Sequence, residues 1–203
     1  MFYLRFMRKD FKITGWFYEL NGFKFRKFLN IVRYHTIQKN PDLMVVMMNP
    51  GSSRPVNVDK NYNKETDALP DRTQDQIIRL MNNCSFNYAR IINISDLREP
   101  KSSVFYDMID KLENQSIPHS IFDNKRSKEF EELFVKNIPV IFAWGVNKKL
   151  LNLAIQAIKR IGDKPIGLKK NGLEYAYYHP LPQNSTKQKE WVEKITEMIK
   201  KSS

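Results

Sequence analysis

Residues 43–51 read Leu-Met-Val-Val-Met-Met-Asn-Pro-Gly, an apolar run that ends abruptly in a turn motif. The run is short, contains β-branched valines and is bordered by Asn40-Pro41 and Asn49-Pro50-Gly51, which favours a strand over a buried helix. Similar apolar runs occupy residues 89–94, 139–143 and 174–178. The sequence therefore predicts four strands, each followed by a polar or Gly/Pro motif.

Amphipathic segments separate and flank these runs. Apolar residues recur three and four positions apart in residues 73–83, 147–161 and 186–200, as on one face of a helix. Thr73 is the expected N-cap of the first segment, and Gly162 is the expected end of the second. A further amphipathic helix is predicted near the start from the spacing of Phe25, Phe28, Leu29 and Val32.

Strands that alternate with helices are typical of α/β proteins, in which helices cover both faces of a parallel sheet. We therefore predict a three-layer α/β/α fold with a central, four-stranded, mostly parallel sheet. The length of 203 residues fits one domain spanning residues 1–203. We expect residues 1–40 to form an N-terminal appendage packed on the core, and the polar residues 54–71 to form a long functional loop.

The chain is strongly basic, with 34 Lys and Arg against 22 Asp and Glu and a net charge of +12. This excess favours a polyanionic partner such as nucleic acid, although a solvated basic surface is the alternative. No apolar run approaches the roughly 20 residues that a membrane span needs. The single Cys84 and three scattered histidines predict neither a disulfide nor a zinc site. We expect a cytoplasmic monomer that needs no metal or cofactor.

Ligands of open α/β sheets bind beyond the carboxyl ends of the strands. Each predicted strand ends there in a distinctive motif. In chain order the motifs are Met47-Met-Asn-Pro-Gly-Ser-Ser53, Ile92-Asn-Ile-Ser-Asp96, Ala143-Trp-Gly145 and Tyr178-His-Pro-Leu-Pro-Gln183. If the strands are parallel, these motifs meet at one edge of the sheet, although each is by itself also a good turn.

The ordered set of motifs resembles that of the uracil-DNA glycosylase superfamily, over about residues 43–185. The first family motif ends in Asn-Pro-Gly in the mismatch-specific branch, as residues 49–51 do here. Asn93 resembles a family Asn at the end of a later strand, and Trp144-Gly145 is similar to a pair that closes another. The last family motif, His-Pro-Ser-Pro-Leu-Ser, is similar to His-Pro-Leu-Pro-Gln-Asn at residues 179–184.

The resemblance implies a DNA glycosylase that flips a base out of DNA and hydrolyses its N-glycosidic bond. Asn49 would position the attacking water, and His179 would donate a hydrogen bond to the departing base. Asn93 and Pro50 would contact the base. Tyr62 is a further candidate to stack on the base, because of its position in the polar loop.

Gly51 stands where the uracil-specific branch has a Tyr that fills the space beside the pyrimidine C5 atom. The smaller residue implies a mismatched or 5-modified pyrimidine as substrate. The simpler interpretation is that Gly51 supplies a positive φ in the turn.

Residues beside these motifs are expected to contact double- or single-stranded DNA through its phosphates. They are Ser52, Ser53, Arg54, Pro180, Leu181, Pro182, Gln183 and Lys187. Because no Lys occurs in the strand-end motifs to form a Schiff base, we expect a monofunctional enzyme. Trp144 is expected mainly to pack in the core.

Two other functions remain open on the sequence alone. Met47 stands where the family has Gly, and Leu181 where it has Ser, so the chain is alternatively a nucleic-acid-binding module with weak or lost catalysis. It is also alternatively an N-glycosidase of free nucleosides or nucleotides. A repair role and a role in defence against modified foreign DNA are equally compatible with the sequence.

Overall fold

The computed structural model describes residues 8–57, 63–162 and 165–202. Within these ranges, seven strands, β1 to β7, lie in one mixed sheet. In chain order they span Phe11–Leu20, Phe23–Arg33, Leu43–Met47, Arg54–Pro55, Lys64–Leu69, Tyr88–Asn93 and Val140–Ala143. The α-helices described, α1 to α5, span Arg72–Cys84, Ser102–Asn114, Ser127–Leu133, Leu151–Ile161 and Ser185–Ser202. The predicted α/β class is confirmed.

The strand order is β4-β5-β1-β2-β6-β3-β7. Strand β3 runs parallel to β6 on one side and to β7 on the other. Strands β2 and β6 are antiparallel, as are the pairs β1–β2, β1–β5 and β4–β5. The predicted four-stranded, mostly parallel sheet is therefore not confirmed, because an antiparallel half joins the three parallel strands.

The N-terminal region forms a long β-hairpin in the middle of this sheet. Asn21 and Gly22 connect β1 to β2 with φ angles of 50° and 79°, as a two-residue type I′ turn requires. The helix predicted around Phe25 is wrong, since these residues lie in β2. Residues 11–33 are thus part of the sheet rather than an appendage to it.

A β-bulge explains why the hairpin resembles a helix in sequence. Trp16 pairs with Phe28, but Phe17 pairs with Arg26, so that Lys27 is an extra residue in β2. The bulge places Phe25 and Phe28 in the same core although they are three residues apart. Apolar residues at this spacing are otherwise typical of one helix face.

Two further predicted elements differ from the structure. Residues 54–71 contain the edge strands β4 and β5 in their described part rather than one long loop. Residues 174–178 form no strand, because the chain turns at 174–175 and Tyr177 makes only isolated bridges to Gly145 and Lys169.

Helices cover both faces of the sheet, with a separate core on each. Along β3, Val45 and Met47 face the core formed with α1 and α5. Met44 and Val46 point the other way, toward α2, α3 and α4. All five residues of β3 are buried, and each such side chain contributes about 1.5–3 kcal/mol by leaving water.

Trp144, which follows β7, is fully buried in the second of these cores. Its indole nitrogen donates to the Tyr175 carbonyl at 2.7 Å. Its predicted core role is confirmed.

Polar caps determine where the helices beside the sheet edge begin. Asp71, not the predicted Thr73, caps α1: its carboxylate accepts from the backbone N–H of Thr73 and Gln74, and the Gln74 side chain accepts from the Asp71 N–H. At the start of α5, Asn184 Oδ1 accepts from the backbone N–H of Thr186 and Lys187. Gly162 ends α4, as predicted. In the described part of the chain, no helix is long and apolar enough to cross a membrane.

Candidate functional site

A cleft of about 360 Å³ opens at the carboxyl end of β3. Its walls are residues 47–52, residues 71–74 at the start of α1, and residues 179 and 181. Arg26 of β2 and Ile91 of β6 also line it. The first and last sequence motifs therefore meet at one site, as predicted for the ends of parallel strands.

Asn49 lies in this cleft, and two hydrogen bonds to backbone carbonyls fix the orientation of its side-chain amide. Its Nδ2 donates to the carbonyl oxygens of Glu99 at 2.7 Å and Leu97 at 3.2 Å. Because only the amide NH₂ can satisfy two carbonyls, Oδ1 is left as a free acceptor within the described part of the chain. Such an oxygen can orient a water molecule but cannot remove its proton as a carboxylate does.

His179 faces the same cleft and is half-buried. Burial lowers the pKa of His179 to about 4, so that its imidazole is neutral near pH 7. The backbone N–H of Leu181 donates to Nδ1 at 3.1 Å. This contact makes Nδ1 the acceptor and places the ring proton on Nε2, where it can serve as a hydrogen-bond donor to a ligand.

Gly51 has a φ of +59°, and a Cβ at this position would meet no atom within 4 Å. Both interpretations of the residue are thus compatible with the geometry: the turn requires a residue that tolerates positive φ, and the space beside it is open. Pro50 is buried and holds the turn, with its carbonyl accepting from the Ser53 N–H at 3.1 Å.

Asn93 ends β6 opposite Met47 but does not line the cleft. It is fully buried, and neither its Oδ1 nor its Nδ2 has a hydrogen-bond partner within the described residues. Alternation along the strand places it on the same face as Ile91, which does line the cleft. A buried amide without hydrogen-bond partners lowers the stability of the fold by about 1–3 kcal/mol. Such a cost is typical of a side chain that is kept for binding a ligand.

Arg26 is a cleft residue that the sequence interpretation missed. It is 3 % exposed, its buried Nε has no hydrogen-bond partner, and it forms no ion pair with any of the described residues. Burial lowers the pKa of Arg26 to about 10, which still leaves it protonated at pH 7. The Asn-Gly turn at residues 21–22 was the sequence signal that would have placed it on a strand.

The residues expected to contact DNA have different environments. Ser52 lines the cleft and is exposed, as are Arg54, Gln183 and Lys187. Leu181 and Pro182 are half-buried, and the Pro182 carbonyl accepts from Gln188.

Two of the expected DNA contacts do not fit the structure. Ser53 is 1 % exposed, and Pro180 is buried with its carbonyl bonded to Gln76. Their side chains therefore cannot reach a phosphate, because the turn and the α1–α5 packing cover them. Tyr62 lies outside the described residues.

A second hollow, of about 520 Å³, is lined by residues of 113–125, among them His119, and by residues of α4. His119 Nδ1 lies 2.9 Å from the Ser95 hydroxyl, and burial lowers the pKa of this histidine to about 4. Ser95 is fully buried, so it is not an accessible nucleophile. In the described ranges, no three His, Cys, Asp or Glu side chains cluster as a metal site would require.

A family model described as a protein of unknown function (DUF1643) matches residues 31–181. The chain belongs to this family. No curated protein and no solved structure matches it significantly.

The DUF1643 match runs from the second half of β2 to Leu181 in the cleft. It includes Asn49, Asn93 and His179. Arg26 and helix α5 lie outside it. The two groups that converge on the cleft from the first and last motifs are therefore within the family region, whereas the buried arginine is contributed by the preceding part of the hairpin.

Proposed function

We propose that this protein is a monofunctional DNA glycosylase that excises a mismatched or 5-modified pyrimidine. The observation that carries the proposal is the convergence of Asn49 Oδ1 and the Nε2 donor of His179 on one cleft at the end of β3. In hydrolysis of an N-glycosidic bond, a free acceptor can position the water on one side of the sugar–base bond, and a donor can stabilise the negative charge of the departing base on the other.

In the proposed reaction, a water oxygen bonds to the sugar C1′ while the C1′–N bond breaks. The electron pair of that bond leaves with the base, and the proton of the water passes to solvent. Asn49 orients the water, and His179 donates to the base oxygen on which negative charge develops. Because Asn49 accepts no proton, we expect slow turnover.

The surroundings of the cleft support a DNA substrate. The chain carries a net charge of +12, and exposed Arg54, Lys187 and Arg72 lie on its wall or in the flanking elements. Such groups hold phosphates without reading sequence. The parallel strands β6, β3 and β7 also present their carboxyl ends at one edge, which supports a glycosylase-like arrangement of the motifs.

The proposal is tested by incubating the protein with duplexes that carry uracil, thymine mismatches or 5-modified cytosines. Abasic sites are then converted to strand breaks with hot alkali. We expect breaks at one class of base, with loss of at least 10²-fold in rate in Asn49→Ala and no loss in Asn171→Ala, an exposed turn residue. Equal rates in the two variants, or no breaks with any duplex, would argue against a glycosylase.

A binding module is the second candidate, because the Asn49 amide has a structural use in holding residues 97 and 99. For such a module, Asn49→Ala retains salt-sensitive DNA binding and no duplex is cut. An N-glycosidase of free nucleotides instead shows little dependence of binding on salt, since few phosphates are neutralised.

Gly51→Tyr is expected to reduce excision of 5-modified pyrimidines at least tenfold relative to uracil. The open space at Gly51 would receive the Tyr side chain. The Tyr ring would then collide with a substituent at C5 of the pyrimidine. Gly51→Ala is the matched control, because it carries the same strain of about 1–2 kcal/mol at positive φ without filling the space. Unchanged selectivity in Gly51→Tyr, at a stability equal to that of Gly51→Ala, contradicts this function of the open space.

A further inference from the structure

The bulge in β2 turns one charged side chain into the cleft. Lys27 is the extra residue, and Arg26 beside it pairs with Phe17 and donates its backbone N–H to the Asp96 carbonyl at 2.9 Å. The Arg26 side chain then lies between Met47, Ile91 and the start of α1. Bulges frequently redirect a side chain next to a functional site.

The two carboxylates whose charges act on Arg26 each have other hydrogen-bond partners, although Asp96 Oδ1 has none within the described residues. Asp71 Oδ1 caps α1 by accepting from two backbone N–H groups. Asp96 Oδ2 accepts from Tyr18 and from Arg126. Both carboxylates favour the charged form of Arg26, and Arg98 disfavours it. No carboxylate forms an ion pair with Arg26 in the described residues, so its positive charge is available to a ligand.

The buried charge of Arg26 lowers the stability of the protein when no ligand is bound. A buried guanidinium without a counter-ion loses hydration and regains little, and Nε of Arg26 is buried without an acceptor. Asn93, on the same edge, has both amide atoms unpaired. Two buried polar side chains left unsatisfied next to one cleft are typical of a binding site, which gives up stability for a ligand.

We propose that Arg26 is an anion-binding residue of the cleft, which takes an oxyanion of the ligand through its planar guanidinium. Arginine suits this task because two of its N–H groups can bind two oxygens of one anion at once. The oxyanion is either a phosphate group or an exocyclic oxygen of a pyrimidine base that leaves as an anion. The anion site itself does not depend on the reaction proposed above, whereas a departing base as the source of the anion rests on that proposed function.

The thermal midpoint of unfolding, Tm, tests the proposal without any activity assay. Removing the unpaired charge in Arg26→Met is expected to raise Tm by about 2–4 °C in buffer without added anions. If the anion is a phosphate, inorganic phosphate at about a hundred times its Kd is expected to raise the Tm of the wild type by about 5–10 °C relative to chloride of equal ionic strength. Arg26→Met is expected to lose this protection. Lys194→Met, the same charge change at an exposed site on α5, should retain it.

Three further probes distinguish the source of the anion: deoxyuridine 5′-monophosphate, deoxyuridine and uracil. Protection by inorganic phosphate and the monophosphate alone identifies a phosphate, whereas protection by uracil alone identifies the departing base. In both cases Arg26→Lys, which keeps the charge without the planar fork, should bind at least tenfold more weakly than the wild type. Equal protection of wild type and Arg26→Met, no protection of either protein by any probe, or a lower Tm for Arg26→Met overturns the proposal.

Discussion

His179→Asn is expected to slow base excision by about 10²–10³-fold, whereas His179→Gln should retain most of the rate. The side-chain amide of Asn can occupy the place of Nδ1 and accept from the Leu181 N–H, but it supplies no donor at the place of Nε2. The longer Gln side chain places its NH₂ near Nε2 and loses only the contact to Leu181. The measurement is the single-turnover rate on the substrate identified by the duplex panel.

His35→Asn is the matched control for this pair. His35 is exposed and has a φ of 65°, which Asn tolerates, so this variant should retain the wild-type rate. If His179→Gln is as slow as His179→Asn, the bond to Leu181 matters more than the Nε2 donor, and the assignment of His179 as donor is wrong.

The pH profile gives a second test of the same donor. Because burial lowers the pKa of His179 to about 4, its imidazole stays neutral from pH 8 down to about pH 5. Its contribution to the excision rate should therefore be flat between pH 8 and pH 5.5. A histidine with the ordinary pKa of about 6.5 would change its charge within this range. A tenfold rise in rate as the pH falls through about 6.5, absent in His179→Gln, would mean that the cationic form acts instead. A tenfold fall would mean that the neutral form acts with its ordinary pKa.

Local sequence patterns predict the parallel half of the fold and miss the antiparallel half. The runs that become β3, β6 and β7 are continuous and apolar because these strands are buried between two helix layers. Strands β1 and β2 instead carry a bulge at Lys27, which breaks the alternation of period two and produces apolar residues three apart. The turn at residues 21–22 was nevertheless a strong hairpin signal.

Local patterns likewise predict some residues of the candidate site and miss others. Asn49 and His179 follow predicted strand ends, and a parallel arrangement is enough to bring those ends together. Asn93 shares the edge, yet its burial depends on the side chains packed around it, which no local pattern specifies. Arg26 reaches the cleft only because β2 pairs with β6, about 60 residues later in the chain. Such a non-local contact cannot be read from one segment alone.

Arg126→Met is expected to lower the free energy of unfolding by about 3–5 kcal/mol, because it leaves a buried carboxylate without its counter-ion. Asp96 is fully buried, and its Oδ2 accepts from Arg126 at 2.7 Å and from Tyr18 at 2.9 Å. Burial alone would lower the pKa of Arg126, but the Asp96 carboxylate holds that pKa above its ordinary value. Burial raises the pKa of Asp96, and the Arg126 charge and the hydrogen bonds from Arg126 and Tyr18 oppose this effect. The charged form of the Asp96 carboxylate therefore depends on Arg126.

This ion pair also supports the cleft. The Asp96 carbonyl accepts from the Arg26 N–H, and the carbonyl of the next residue, Leu97, accepts from Asn49 Nδ2. Displacing the Asp96 side chain would therefore shift the backbone that orients both cleft residues. We expect excision by Arg126→Met to fall together with its stability, even at temperatures at which the variant is folded.

Urea denaturation measures the stability change, and Arg160→Met is the matched control. Arg160 lies 4.0 Å from exposed Glu131, and surface pairs of this kind contribute at most about 1 kcal/mol. The double variant Asp96→Asn, Arg126→Met should be more stable than Arg126→Met alone, because it no longer buries an unpaired charge. A loss in Arg126→Met no larger than in Arg160→Met, or a double variant less stable than the single one, would show that the Asp96 carboxylate does not require Arg126 as its counter-ion.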